Sequence, residues 1–268
     1  AGVSNVANEA LFRYDAANER IAAEWDQSNQ FLGFPNDPYV IRNSYLARPL
    51  SRVLTDRHSF RIRAVLRIEP NTIPDTTEFY QIANIGLYGL AHMGPDRTLA
   101  DDWSGNATLL RNGSDFVEFN YFINNNAFGF NPNISALLAA HVDDDLSFAY
   151  YTDSSADTDM GMDQYVPVNT NLYLELSYHG GATGDVSRRA SVALYTDAAR
   201  TNLVEVNGVP LYYWTQPLPA HESFELTHVA LVNYGAANWG GANGAGAGSW
   251  DDVSVDWAVR DGQIVQPM

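Results

Sequence analysis

The stretch His58-Ser-Phe-Arg-Ile-Arg-Ala-Val-Leu-Arg-Ile68 decides the fold class of this chain. From Phe60 onward every second side chain is apolar, and the positions between them include Arg61, Arg63 and Arg67. A repeat of two residues is that of a β-strand with one buried face and one polar face. We therefore predict a strand here, within an antiparallel sheet that covers a core on one side.

The same alternation recurs in nine further segments, and polar, Gly-bearing or Pro-bearing connections separate them. Only 134–140 fits a short helical turn, and no long amphipathic helix or βαβ spacing is present. Many short strands of this kind predict an all-β fold, a two-sheet antiparallel jelly-roll sandwich. The further strands are predicted at 20–25, 79–90, 116–123, 146–152, 172–178, 190–194, 211–214, 224–234 and 253–259.

The chain shows no internal repeat and no linker that would divide it. With 46% hydrophobic residues it can bury a large core, and all-β folds of 268 residues occur undivided. We predict a single domain over residues 1–268. Long surface loops are expected near 94–111, 153–168 and 235–248, the last of them rich in Gly and Ala.

Composition excludes several kinds of chemistry. The chain has no cysteine, so disulfide scaffolds and thiolate sites are excluded, and all 15 of its basic residues are arginine, so lysine chemistry is excluded too. Its 32 acidic residues give a net charge of −17, which repels nucleic acids and anionic lipid headgroups. We expect divalent cations, glycans or a basic partner, and no nucleic acid.

Seven segments of the chain carry a resemblance to a known family, and they lie at 43–50, 54–56, 60–68, 79–87, 117–122, 224–234 and 248–255. They resemble secreted bacterial laminin-G-like domains of the concanavalin A-like lectin/glucanase superfamily. The resemblance runs from about Phe12 to Val259 and implies two antiparallel sheets in a jelly roll with a concave face. It implies no single activity, because the superfamily includes lectins, hydrolases, lyases and adhesive modules.

The cellular location is expected to be extracytoplasmic: periplasmic, cell-surface or secreted in a bacterium. No run of about 18 apolar residues is present, so we predict no transmembrane segment. The first residue, Ala1, is of the kind that removal of a signal peptide leaves.

A glycoside hydrolase of this fold would need two carboxylates across the bond that it cuts. The one Glu-x-Asp sequence, Glu24-Trp25-Asp26, has Ser28 and Asn29 where a second Glu would stand. Glu118 and Glu175 are alone on their strands. We therefore expect both of these side chains to be solvated or paired with arginine.

Polysaccharide lyases of this fold combine Arg, Gln, His and Tyr on their concave strands. Arg63, Gln81, Tyr121 and His179 supply those residue types without a compact motif, and a solvent-facing strand position is expected for His179. No HExxH, GxSxG, P-loop or dinucleotide-binding motif is present either. We therefore predict no catalytic residues and no enzyme activity.

The candidate ligand-binding residues lie in two of the long loops. Trp103 stands beside Asp102, and Trp239 stands beside Asn238. An exposed indole can stack on a pyranose ring while neighbouring amide and carboxylate groups bind its hydroxyls. The alternative is that both tryptophans fold back over a sheet edge.

Clustered carboxylates make structural calcium the metal to expect, because hard cations bind several oxygen ligands. The alternative is an acidic, solvated loop. One candidate pair comes before the last strand, where members of the superfamily often use an aspartate to bind calcium, and the other group lies in the loop 153–168. The candidate ligands are Asp251 and Asp252, and Asp157, Asp159 and Asp163.

The leading functional hypothesis from these observations is a non-catalytic recognition or adhesion module that binds a glycan or a protein partner. The alternative is a structural accessory subunit, docked on a larger multi-subunit assembly in the envelope or at a membrane. A second alternative is a polysaccharide hydrolase or lyase. A shallow aromatic patch would favour the first, loop tryptophans buried against another chain the second, and a groove with facing catalytic groups the third.

Overall fold

A computed structural model describes residues 11–26, 42–69, 79–89, 116–124, 133–142, 145–150, 169–180, 189–206, 209–214, 225–235 and 245–259. Within these residues the backbone forms fifteen β-strands, and no described helix is long and apolar enough to cross a membrane. The strands are β1 (Leu11–Asp15), β2 (Arg20–Asp26), β3 (Arg42–Thr55), β4 (His58–Ile68), β5 (Phe79–Tyr88), β6 (Phe116–Asn124), β7 (Asn133–Val142), β8 (Asp145–Tyr150), β9 (Leu172–His179), β10 (Arg189–Tyr195), β11 (Glu205–Val206), β12 (Val209–Pro210), β13 (Tyr212–Trp214), β14 (Glu225–Gly235) and β15 (Ala245–Val259).

The strands form two large antiparallel sheets. One has seven strands in the order β1-β2-β15-β4-β9-β10-β13, and the other has six in the order β3-β14-β5-β6-β7-β8. A short ribbon, β11-β12, stands apart from both. The last strand returns beside the second, with Trp250 paired to Ile21. This architecture confirms the predicted all-β, two-sheet antiparallel fold.

The core lies between the sheets and is built by the alternation seen in the sequence. Phe60, Ile62 and Leu176 from the seven-stranded sheet belong to one buried cluster with Ile85 and Phe119 from the six-stranded sheet. Each fully buried side chain of this size contributes about 1.5–3 kcal/mol relative to an exposed one. The two sheets are therefore held together by their apolar faces.

Paired charges occupy the outer face of the seven-stranded sheet. Arg63 Nε lies 2.9 Å from Glu175 Oε2, and Arg61 Nη2 lies 3.2 Å from Asp256 Oδ2. These contacts join β4 to both of its neighbours, β9 and β15, because the partners stand on adjacent strands. The expectation that Glu175 is paired with arginine is confirmed.

Several elements differ from the sequence-based expectations. Residues 134–140 belong to strand β7, because backbone pairing with β6 along its length outweighs the helix preference of its Leu and Ala residues. Strands β1 and β3 were not predicted. The loop expected at 235–248 is shorter, since Gly235 ends β14 and Ala245 begins β15. The single domain over 1–268 stays a prediction.

Gly86 allows an unusually close approach between β5 and β6. A Cβ atom at this position would lie 2.5 Å from the Val117 carbonyl oxygen and 2.6 Å from Glu118 Cβ. Neither neighbour is the flexible end of a side chain, so the two strands would have to separate. Glycine in a strand interior commonly marks such an approach.

We expect Gly86→Ala to destabilise the protein by about 1–3 kcal/mol, the usual cost of overpacking a rigid site. The measurement is the free energy of unfolding in urea. An unchanged midpoint would contradict the close packing of β5 on β6.

Candidate active site

A polar group is buried on the face of the six-stranded sheet that points away from the core. Strands β5 and β6 alternate, so Leu87 and Val117 enter the core cluster while Tyr88, Phe116 and Glu118 lie on the opposite face. All three of these residues are nevertheless fully buried. Glu118 was expected to be solvated or paired with arginine. That expectation was wrong, because the Glu118 side chain is buried away from solvent.

A short hydrogen bond joins two of these side chains. The Tyr88 hydroxyl donates to Glu118 Oε2 over 2.5 Å, a length typical of a hydroxyl bound to a carboxylate. The Tyr88 ring also stacks on Phe116, with centroids 6.4 Å apart. A buried carboxylate requires such a partner, because the charged form loses its hydration. The phenol and the carboxylate are thus fixed relative to each other.

A histidine stands beside this pair on the next strand. His228 of β14 is directly opposite Tyr88 in the antiparallel register. Thr227 Oγ1 donates to the Tyr88 carbonyl oxygen over 3.3 Å and lies 2.7 Å from His228 Nδ1. The Thr227 hydroxyl donates its proton to the Tyr88 carbonyl oxygen, so toward His228 Nδ1 it can only accept. We therefore assign the imidazole proton to Nδ1. Nε2 is then the basic nitrogen.

Burial sets the charge of this imidazole. Desolvation lowers the pKa of His228 from its ordinary value of 6.5, so the ring is neutral at pH 7. A neutral imidazole with a free Nε2 can accept a proton, and a phenol can donate one. Tyr88 therefore has a proton acceptor opposite it on β14 and a carboxylate partner on β6. This arrangement can support general acid–base chemistry.

Apart from the exposed His179 at the end of β9, the outer face of the seven-stranded sheet offers no comparable base among the described residues. Glu175 and Asp256 are both already engaged by arginines. Burial, followed by the charge of Glu175, raises the pKa of Tyr195, so its phenol stays protonated. Burial also lowers the pKa of Arg200, and the positive charge of Arg63 lowers it further by a smaller amount. We interpret this face as a structural charge network.

The structure separates the residues that were considered for a lyase. Arg63 and His179 lie on the seven-stranded sheet, where His179 is exposed at the end of β9 as expected. Gln81 belongs to β5 and Tyr121 to β6, both in the other sheet. These four residues do not form one site.

The predicted metal and ligand residues are mostly outside the described part of the chain. Asp251 and Asp252 are described, and the Asp252 N–H donates to Asp251 Oδ1 over 2.8 Å. Among the described residues no group of three His, Cys, Asp or Glu side chains could hold a metal ion. Outside the described residues lie Asp102, Trp103, Asn238 and Trp239, and Asp157, Asp159 and Asp163.

The sequence search missed the Tyr88, Glu118 and His228 group because its members come from three strands. One signal was present in β6, where Phe116 and Phe122 share the face of Glu118 and Phe119 lies on the other. Apolar residues on both faces indicate a strand that is covered on both sides. A glutamate within such a strand has to be buried.

No protein-family model matches the chain, and no curated protein matches it significantly in sequence. Solved structures do match its fold. An alginate lyase from Klebsiella pneumoniae is 8% identical with a TM-score of 0.45, covering 94% of this chain and 85% of that one. A mutant of alginate lyase Aly36B in complex with alginate tetrasaccharide is 8% identical with a TM-score of 0.43, covering 95% and 94%. Lectin I-B4 from Griffonia simplicifolia is 10% identical with a TM-score of 0.38, covering 87% and 99%.

The two antiparallel sheets of this chain form the predicted jelly-roll sandwich. The predicted jelly-roll architecture is thus confirmed, whereas specific likeness to laminin-G-like domains stays a prediction. Alginate lyases are polysaccharide-degrading enzymes, and their presence among these structures overturns the prediction of a non-catalytic module without enzyme activity. The physical reason is that a sheet can assemble catalytic groups from separate strands, without a local motif. At these identities the likeness concerns the fold alone.

We expect Tyr88→Phe to destabilise the protein by about 1–3 kcal/mol, because a buried carboxylate loses its hydroxyl donor. Tyr14→Phe is the matched control, since Tyr14 is 67% exposed. In a double-mutant cycle with Glu118→Gln, urea unfolding should give a coupling energy of about 0.5–3 kcal/mol. Additive effects of the two substitutions would show that the hydrogen bond does not form.

Stability should fall as the pH drops below the ordinary histidine value. Burial lowers the pKa of both His58 and His228 below 6.5, so the unfolded chain binds protons that the folded chain does not. Their contribution is complete above 6.5 and is lost as pH falls from there through the folded pKa values.

Urea unfolding at about pH 7.5 and about pH 5.5 measures this loss, across the range in which histidine titrates. His58→Gln and His228→Gln should each flatten the dependence, whereas the exposed His179→Gln should not. Equal slopes in all four proteins would contradict the assignment to buried histidines.

Proposed function

We propose that this chain is a polysaccharide lyase that cleaves uronic-acid-containing glycans at the outer face of the six-stranded sheet. The observation that carries the proposal is the buried hydrogen bond from Tyr88 to Glu118 beside the neutral His228. It combines a proton donor, a fixed partner for that donor and a proton acceptor within three neighbouring strands.

In a β-elimination, His228 would act as the base and Tyr88 as the acid. His228 Nε2 takes the proton from the sugar carbon next to the carboxylate, and the electron pair of that C–H bond forms a carbon–carbon double bond. The glycosidic C–O bond breaks, and the departing oxygen takes a proton from the Tyr88 hydroxyl, which is buried in the free protein and has to become accessible when substrate binds. Glu118 acts as a positioning residue, because it holds the phenol by a hydrogen bond. Transfer of a proton from imidazole to phenolate then restores the site.

Lyase chemistry fits this site better than hydrolysis. A glycoside hydrolase of the usual kind needs two carboxyl groups, one on each side of the scissile bond. Around Tyr88 the described side chains include one carboxylate, Glu118. Glu175 and Asp256 lie on the other sheet and are bound by arginines. Elimination needs one base and one acid, which His228 and Tyr88 provide.

Alginate is the substrate to test first, because it is the glycan named with the matching solved structures. These structures are too distant to argue for a particular sugar. We place the chain outside the cytoplasm, in agreement with its acidic, lysine-free composition. The proposal also includes three features that the sequence predicted. They are a laminin-G-like relationship, calcium bound at Asp251 and Asp252, and attachment to a larger assembly.

The test is incubation of the chain with alginate and other polyuronates, measuring the ultraviolet absorbance of the unsaturated product. His228→Asn and Tyr88→Phe should each lower the rate by about a hundredfold or more, as for loss of a general base or acid. Glu118→Gln should slow the reaction and alter its pH profile, because the amide positions the phenol differently. Glu205→Gln, at an exposed position in β11, is the matched control.

Circular dichroism and urea unfolding of each variant separate loss of chemistry from loss of fold. Release of reducing ends without ultraviolet absorbance would replace elimination by hydrolysis. A folded His228→Asn variant with the full rate would remove His228 from the mechanism. Failure of the intact chain to cleave any polyuronate would overturn the proposal.

A further inference from the structure

Two irregular strands face each other across one side of the sandwich. In β3, Leu54 pairs with Leu226 and Pro49 pairs with His228 of β14. The register therefore places residues 50–53 of β3 opposite the single residue Thr227. Extra residues of this kind push a strand out of the plane of its sheet.

The second irregularity lies in β15, in the opposite sheet. Asp251 pairs with Val65 and Ser254 pairs with Arg63, so Asp252 and Val253 stand opposite one residue of β4. Asp252 has a φ of 48°, a left-handed conformation that costs of order 1–3 kcal/mol in a non-glycine residue. Bulges are often found next to functional sites, where they redirect side chains.

A cavity of about 590 Å³ opens between these two bulges. Its volume is within the usual range of about 300–1,000 Å³ for small-molecule sites. Leu46 and Val253 line it and are 45% and 37% exposed, which makes its mouth apolar. The apolar lining side chains include Ile21, Leu46, Leu50, Val229, Val253 and Trp257.

The charged residues of this cavity are of one sign. Its lining contains Arg48 and Arg52 and no acidic residue, in a chain with 32 acidic residues. Arg52 lies over the Trp257 ring, with Cζ 4.6 Å from the ring centroid, and both arginines are exposed. The cation–π contact holds one guanidinium beside the apolar wall. An anion at the mouth would be attracted by both positive charges.

We propose that this cavity binds a free fatty acid, with the alkyl chain between the sheets and the carboxylate on Arg48 and Arg52. An apolar chain matches the apolar side chains of the lining, and a carboxylate matches the positive charge of the two arginines. The proposal goes beyond the lyase, since Tyr88, Glu118 and His228 do not line the cavity.

The experiment is calorimetric titration of the full chain with laurate, with dodecanol, and with phosphatidylcholine vesicles. Laurate should bind with one-to-one stoichiometry, and dodecanol should bind more weakly. Arg48→Leu and Arg52→Leu should each weaken laurate binding by about tenfold, through loss of a charge-assisted hydrogen bond. They should leave dodecanol binding unchanged.

Val253→Trp should weaken both ligands, because the indole fills the mouth of the cavity. Arg57→Leu is the matched control, since Arg57 is exposed and does not line the cavity. Binding to vesicles alone would overturn the proposal in favour of a membrane contact. Absence of laurate binding, or equal loss in Arg57→Leu, would also overturn it. These titrations do not depend on polyuronate cleavage, so each proposal can fail without the other.

Discussion

The whole structure depends on one constraint: each strand has two faces, and one of them must enter the apolar layer between the sheets. Phe60 and Ile62 satisfy it from one side, and Ile85 and Phe119 satisfy it from the other. Many of the polar groups on these strands are then directed to an outer face. Among the described residues, the arginine network lies on the outer face of one sheet and the Tyr88–Glu118 pair on that of the other.

The two outer faces are used in different ways. On the seven-stranded sheet, Arg63 and Glu175 are partly accessible, and their attraction is screened by water. On the six-stranded sheet, Tyr88 and Glu118 are fully buried, where a hydrogen bond to a charged group is stronger and its loss more costly. Gly86 makes this possible, because the absence of a side chain lets Glu118 pack against the neighbouring strand. The candidate chemistry is therefore found where close packing excludes water.

Two of the three register shifts within the described strands lie on one side of the sandwich. The bulge of β3 and the bulge of β15 both contribute lining to the same cavity. Regular strands at these positions would let the sheets close on each other and fill the space with side chains. The strained conformation of Asp252 is kept although it opposes stability. A strained backbone beside a cavity is a combination that is often found at binding sites.

Much of the fold could be predicted from alternation alone. Apolar side chains at every second position of Phe60–Ile68 are compatible only with a half-buried strand. The sequence by itself determined the fold class and the position of most strands. It did not determine the candidate site, since Tyr88, Glu118 and His228 are brought together by a register that joins three strands distant in the chain. That register results from the packing of both sheets on their shared core, which only the tertiary structure decides.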